Sequence, residues 1–151
     1  MLLTIPQCNE RGVRVRLKTN DYKTISECKI SVGAENIWSI TEWFTDTKYQ
    51  HQGYGNYLMK TALHLLFKQL GSPNEIRYNW NGVNQYVMDW LTRNFDAVSI
   101  MPIAELKYAH NDTWKAHIFI LNKDEVFKYY RNSPVLKDVD IVPLTQKETI
   151  T

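Results

Sequence analysis

An aromatic, strand-like run passes into a long amphipathic helix through a turn punctuated by two glycines. That junction constrains the fold more than any other stretch of this 151-residue chain. Ile37, Trp38, Ile40, Trp43 and Phe44 form an apolar run with no helix breaker, the pattern of a strand. Leu58, Met59, Ala62, Leu63, Leu65, Leu66 and Leu70 follow at three- and four-residue spacings, and Gly71 and Pro73 end them. The helix therefore begins at Gly53 and Gly55. Its first N–H groups lack intrahelical partners and sit at the positive end of the helix dipole, so a phosphate placed there is held by several donors at once. Glycines one residue apart let backbone approach such a ligand without a Cβ in the way. The same two glycines also fit a plain tight turn.

The flanking residues weigh on that choice. Gln50, Gly53 and Gly55 stand in the order Gln-x-x-Gly-x-Gly, which resembles the Gln/Arg-x-x-Gly-x-Gly/Ala signature of the GNAT family, the acyl-CoA-dependent N-acetyltransferases. The resemblance implies an α/β fold, a mixed and mostly antiparallel splayed sheet flanked by helices, with acetyl-CoA as acyl donor. It implies that Gln50, His51, Gln52, Gly53, Tyr54, Gly55 and Asn56 cradle the coenzyme's pyrophosphate. Phe44 and Thr45, on a bulged preceding strand, would then meet the pantetheine arm. A second block is similar as well: the strand-like run Glu75 to Trp80, a turn with Asn81, Gly82 and Asn84, and a helical face of Tyr86, Val87, Trp90 and Leu91 closed by Phe95. On this match Asn84 is a further coenzyme contact, and Asn94-Phe95 takes the place of the family's Gly-Phe pair. Asn94 would supply the left-handed conformation that glycine gives there. Trp90 takes the place of the family's tyrosine, and an indole cannot donate a proton to a thiolate.

Elsewhere the pattern predicts strands at 12–18, 24–32, 36–45, 75–80, 97–108 and 114–121, with Pro102 interrupting the fifth. Helices are expected at 55–70, 83–93 and 123–131, the last capped by Asn122 with Glu125. Residues 1–132 are expected to form one domain, and 133–151 a C-terminal arm or partly disordered tail. Its segment Pro134 to Pro143 reads as a last strand or as an arm laid on a neighbouring molecule. At 44% hydrophobic, the length suits one packed domain and is short for two.

Charge offers no partner. With 18 basic against 16 acidic residues the net charge is +2, and no apolar run of membrane length and no signal-peptide pattern is present. Arg11, Arg14, Arg16 and Lys18 alternate with Val13, Val15 and Leu17, which favours a half-exposed strand with a basic solvent face over a nucleic-acid strip. The five tryptophans sit in apolar runs and are assigned mostly to core or cleft wall. Cys8 and Cys28 lack metal-like spacing and point to a reduced, cytoplasmic protein, with a single disulfide in a secreted protein as the alternative. His51 is placed at the phosphate turn or in solvent, His64 at the surface or edge of the long helix, and His110 and His117 are too isolated for a zinc site, so no metal is expected.

The family reaction is direct attack of a neutral amine on the acetyl thioester. An alkyl amine with a pKa of ~10.4 must first lose a proton. Glu42, three residues before Thr45, is the candidate base, and Tyr86, one helical turn before Trp90, the candidate acid. Glu75 is a weaker choice of base. The family places a strand and two helices before its first hairpin, whereas the 49 residues before Gln50 show no helical period beyond Tyr22, Ile25 and Cys28, a short helix as an alternative to a strand. This shortened N-terminal part leaves the acceptor side open. The expected acceptor is then a lysine or terminal amine on a macromolecule, or else a second subunit, as in a homodimer, completes the cleft. A catalytically silent coenzyme-A-binding module is the rival reading.

Overall fold

Four strands joined by short turns open the chain: β1 (Leu2–Asn9), β2 (Gly12–Lys18), β3 (Thr24–Val32) and β4 (Ile37–Thr45). They are followed by α1 (Tyr54–Leu70), β5 (Glu75–Asn81), α2 (Gln85–Phe95), β6 (Val98–Ser99), β7 (Ala116–Leu121), α3 (Lys123–Arg131) and β8 (Asp140–Ile141). This computed structural model describes residues 1–81, 85–99, 116–131 and 140–141. The strands lie in one sheet in the order β6-β7-β5-β4-β3-β2-β1-β8, antiparallel except for the β4–β5 and β1–β8 pairs.

The strand period decides which residues face α1. Val13, Val15 and Leu17 of β2, Ile25, Cys28 and Ile30 of β3, and Trp38 and Ile40 of β4 are buried with Leu58, Met59, Ala62, Leu63 and Leu66 of the helix. Each such aliphatic side chain contributes roughly 1.5–3 kcal/mol by leaving water. On α3, Glu125 N–H donates to Asn122 Oδ1 at 3.2 Å, the expected cap.

β1 is an element the sequence pattern did not predict. Pro6 breaks its alternation, and the ladder accommodates it with a register shift between Thr4 and Gln7. Asn9 pairs with Gly12 across a turn of Glu10 and Arg11, so β1 and β2 form a tight hairpin with no helix between them. Gly12 is required there: a Cβ at its φ of +144° would lie 2.3 Å from the Ile30 carbonyl oxygen. Tyr22, Ile25 and Cys28 belong to no helix: Tyr22 has a left-handed φ of 67° in the turn before β3, and Ile25 and Cys28 lie on β3, which pairs with both β2 and β4. The predicted strand 97–108 is present as Val98–Ser99, and its remainder lies outside the described residues. Within the C-terminal arm, Asp140 and Ile141 pair in parallel with Leu2 and Leu3.

β4 and β5 position the site. They run parallel and pair from Ile37–Glu75 to Ile40–Tyr78, and beyond those residues the pairing stops. On its other edge β4 carries a bulge, since Lys29 pairs with Glu42 and Ile30 with Ile40, leaving Thr41 as the extra residue. The sheet therefore parts at the C-terminal half of β4, where the chain turns into α1.

Candidate active site

The turn after β4 is held open by its own backbone. Asp46 accepts from Lys48 N–H at 3.0 Å, a short helical turn spans Thr47–Tyr49, and His51 then adopts a left-handed φ of 64°. Gly53 follows at φ 85° as the N-cap of α1, with no side chain capping the helix. The backbone N–H groups of His51 through Asn56 have no protein acceptor among the described residues. Several donors thus converge at the positive end of a 17-residue helix, an arrangement suited to a diphosphate.

Gln50 and Trp43 fix this cradle on the strand, and Ser26 of β3 holds the end of that strand. Gln50 Nε2 donates to the Thr45 carbonyl oxygen at 3.1 Å, so the first residue of the signature closes the turn onto β4. The indole N–H of Trp43 donates to the Gly55 carbonyl oxygen at 2.8 Å. The Ser26 hydroxyl donates to the Phe44 carbonyl oxygen at 2.9 Å and lies 2.8 Å from Thr45 Oγ1. Gly55 is there for space: a Cβ would stand 3.2 Å from Thr45 Oγ1 and 3.5 Å from Trp43 Nε1.

A cleft of about 520 Å³ opens at this corner. Its strand wall is Trp43, Phe44 and Thr45, its floor runs from Tyr49 to Asn56, and α2 closes it with Tyr86, Val87 and Trp90. The structure thus gathers Phe44, Thr45, Gln50, His51, Gly53, Tyr54, Gly55, Asn56 and Tyr86 from the predicted set. Gln52 is exposed within the turn. Asn84 lies outside the described residues. Phe44 and Tyr86 are 49% and 62% exposed, and both stand at the mouth of the cleft.

Glu42 is placed differently from the expectation. It is not among the residues lining the cleft, and its carboxylate lies 3.0 Å from Arg14 Nη1. It projects from the same face of β4 as Phe44, two residues away. Arg14 also donates to Glu27 Oε1 at 2.6 Å, and Arg16 Nε donates to the same oxygen at 2.7 Å. Arg14 and Arg16 of β2 are therefore engaged by a buried carboxylate and by Glu42. For Glu27, burial alone would raise the pKa, but hydrogen bonds from Arg16 and Arg14 outweigh it and hold the carboxyl below its ordinary value.

Trp90 was expected at the family's tyrosine position, and it lines the cleft with its ring packed among other aromatic side chains. Its ring lies 5.2 Å from Trp43, 5.1 Å from Phe95 and 5.5 Å from Tyr129, tilted or edge-on in each pair. Tyr129 reaches back to the cradle, its hydroxyl donating to Asn56 Oδ1 at 2.9 Å. Tyr78, at the last β4–β5 pair, is buried, and burial reinforced by the nearby Cys28 thiol pushes its phenol up to about 12. Asn94 does not take the left-handed conformation expected of it. Its amide donates to the Trp90 carbonyl oxygen at 2.9 Å, the helix continues through Phe95, and Asp96 supplies the positive φ of 50°. Sequence reasoning gave Trp43 only as core or cleft wall and did not assign Tyr49 or Tyr129 to the site. A helix-spaced signal existed for none of them, because their contacts come from different elements.

Cys8 and Cys28 are both free thiols, and burial raises the pKa of each. Among the described residues no group of three or more His, Cys, Asp or Glu side chains is arranged to hold a metal ion. Among the same residues no helix is long and apolar enough to cross a membrane.

No protein-family sequence model matches the chain, and no curated protein sequence matches it. Solved structures do. The chain is similar to nourseothricin acetyltransferase, with a TM-score of 0.58 at 11% identity over 75% of this chain and 66% of that one. It is similar to a Bacillus anthracis protein assigned as a streptothricin acetyltransferase and solved with acetyl coenzyme A, with a TM-score of 0.58 at 16% identity over 76% and 64%. A third likeness is to a GNAT-family acetyltransferase from Staphylococcus aureus Mu50, with a TM-score of 0.55 at 13% identity over 76% and 69%. The matches thus span about two thirds of the length of those proteins. At these identities the likeness is one of fold, a mixed, mostly antiparallel sheet flanked by helices.

Proposed function

We propose that the chain is a member of the GNAT superfamily and an N-acetyltransferase that draws its acetyl group from acetyl-CoA. One observation carries this reading: the acceptor-free N–H groups of residues 51–56 stand at a helix start directly beside the point where β4 and β5 cease to pair. The residues present fit the coenzyme. Backbone at Gly53 through Asn56 would hold its pyrophosphate, and the splayed edge of β4 from Thr45 back to Thr41 would receive the pantetheine arm. When bound, acetyl-CoA supplies the activated thioester that an amine attacks.

The chain's own groups then divide the work. Trp43, Val87 and Trp90 exclude water from the cleft wall, and that low-polarity setting strengthens any hydrogen bond made within it. Glu42 is assigned to proton removal from the acceptor amine, its carboxylate held in position by Arg14 on the face shared with Phe44. Tyr86, on the cleft wall at the start of α2, is assigned to return a proton to the leaving sulfur. For the acceptor, the tight β1–β2 hairpin supports a lysine or terminal amine on a macromolecule. A second copy of the chain completing that side is the alternative.

The packing of Trp90 favours a second reading, a coenzyme-A-binding module without turnover. Calorimetric titration with coenzyme A tests what both readings share, and absence of binding at millimolar coenzyme rejects both. Acetyl-CoA incubated with peptides, polyamines and aminoglycosides, with release of free thiol followed, separates them. Turnover lost in Glu42→Gln supports the enzyme, and binding without thiol release supports the module.

A further inference from the structure

A second, smaller pocket of about 300 Å³ is lined by Lys60 of α1, Asn94 of α2, and Glu125, Lys128 and Tyr129 of α3. Asn56 and Trp90 line the main cleft, and Lys60 and Asn94 lie four residues further along the same two helices, on the order of one turn or 5–6 Å away. Tyr129 joins the two spaces, with its hydroxyl on Asn56 and its ring under Lys60, whose ammonium lies 4.6 Å from the ring centroid.

The charges in this pocket are not balanced. Lys128 lies 3.4 Å from Glu125, whereas Lys60 forms no ion pair among the described residues. Partial burial lowers the pKa of Lys60, the sign of an ammonium that has lost water without gaining a counter-ion. A cation held by an aromatic face one turn beyond a diphosphate cradle lacks an anion, and coenzyme A carries a third phosphate on the ribose that bears its diphosphate.

We infer that Lys60, supported by Asn94 and Lys128, binds the ribose 3′-phosphate of coenzyme A and so makes the site selective for coenzyme A over its 3′-dephospho form. The inference rests on the coenzyme reading above and adds a subsite to it. Glu125 opposes the incoming charge, and its pairing with Lys128 leaves Lys60 as the dominant contact.

Calorimetry with coenzyme A and with 3′-dephospho-coenzyme A tests this on the intact chain. The unaltered protein should bind coenzyme A about tenfold more tightly, the worth of one charge-assisted contact. Lys60→Met, which keeps the aliphatic stem over Tyr129, should lose that preference while its affinity for the dephospho form is unchanged. Lys60→Arg should retain most of it. Equal affinities in the unaltered protein overturn the inference, as does a preference that survives Lys60→Met. If neither compound binds, the coenzyme reading itself has failed, and this subsite falls with it.

Discussion

At the scale of single residues, the cradle depends on two glycines for different reasons. Gly53 stands at φ 85°, where any Cβ costs ~1–2 kcal/mol, so Gly53→Val should lower stability by about that amount in a urea titration. Gly55 has an ordinary helical place but no room, with Thr45 and Trp43 within 3.2 and 3.5 Å of a Cβ, so Gly55→Val should displace α1 from β4. Coenzyme A affinity should then fall by about tenfold or more, read by calorimetry. Glu42→Gln should leave coenzyme affinity unchanged and reduce thiol release by on the order of 10²-fold, the contribution of a positioned base. The spacing of Gln50, Gly53 and Gly55 was legible in the sequence because a turn is a local object. The bonds that aim it were not. Gln50 to Thr45 and Trp43 to Gly55 depend on how the strand and helix meet, and no periodicity encodes that. The same limit explains Asn94: its tolerance of positive φ is a property of the residue alone, whereas the helix runs on to the buried Phe95 and the positive φ falls at Asp96, two residues later.

At the scale of elements, β3, with Ile25 to Cys28 all buried, also carried the spacing of a short helix, whereas the long helix and the strands β2 and β4 declared themselves through one clear period each. β1 did not, since Pro6 and a register shift break its alternation. The sheet face that carries Arg14, Arg16, Glu27 and Glu42 gives this region a pH signature. The Glu27 carboxyl is held below its ordinary 4.5 in the folded chain, so its contribution is fully present above that value and is lost as pH falls through the lower, folded pKa. Acid titration of stability should therefore show a component below about pH 4.5, and Glu27→Gln should flatten it. At neutral pH that substitution should cost ~1–3 kcal/mol, because two guanidinium groups lose their shared charged acceptor.

At the scale of the whole molecule, one core under α1 supports both the sheet and the cleft. Leu63→Ala, at a fully buried position beneath the helix, should destabilise the protein by about 2–5 kcal/mol in a urea titration, with the cradle sequence untouched. Coenzyme A at a hundred times its dissociation constant should add about 2.7 kcal/mol and raise the melting temperature by several degrees. No shift would speak against the cradle. The overall architecture, a mixed and mostly antiparallel sheet, was legible through the resemblance carried by Gln50, Gly53 and Gly55. The aromatic cluster was not, because Trp43, Trp90, Phe95 and Tyr129 meet from a strand and two helices. That meeting has an optical consequence. Trp43 touches the cradle through its indole N–H and lies against Trp90, which lines the cleft, so a ligand arriving at the turn alters the surroundings of a coupled pair of chromophores. Intrinsic emission should change in intensity as coenzyme A is added, and Trp43→Phe should remove most of that change.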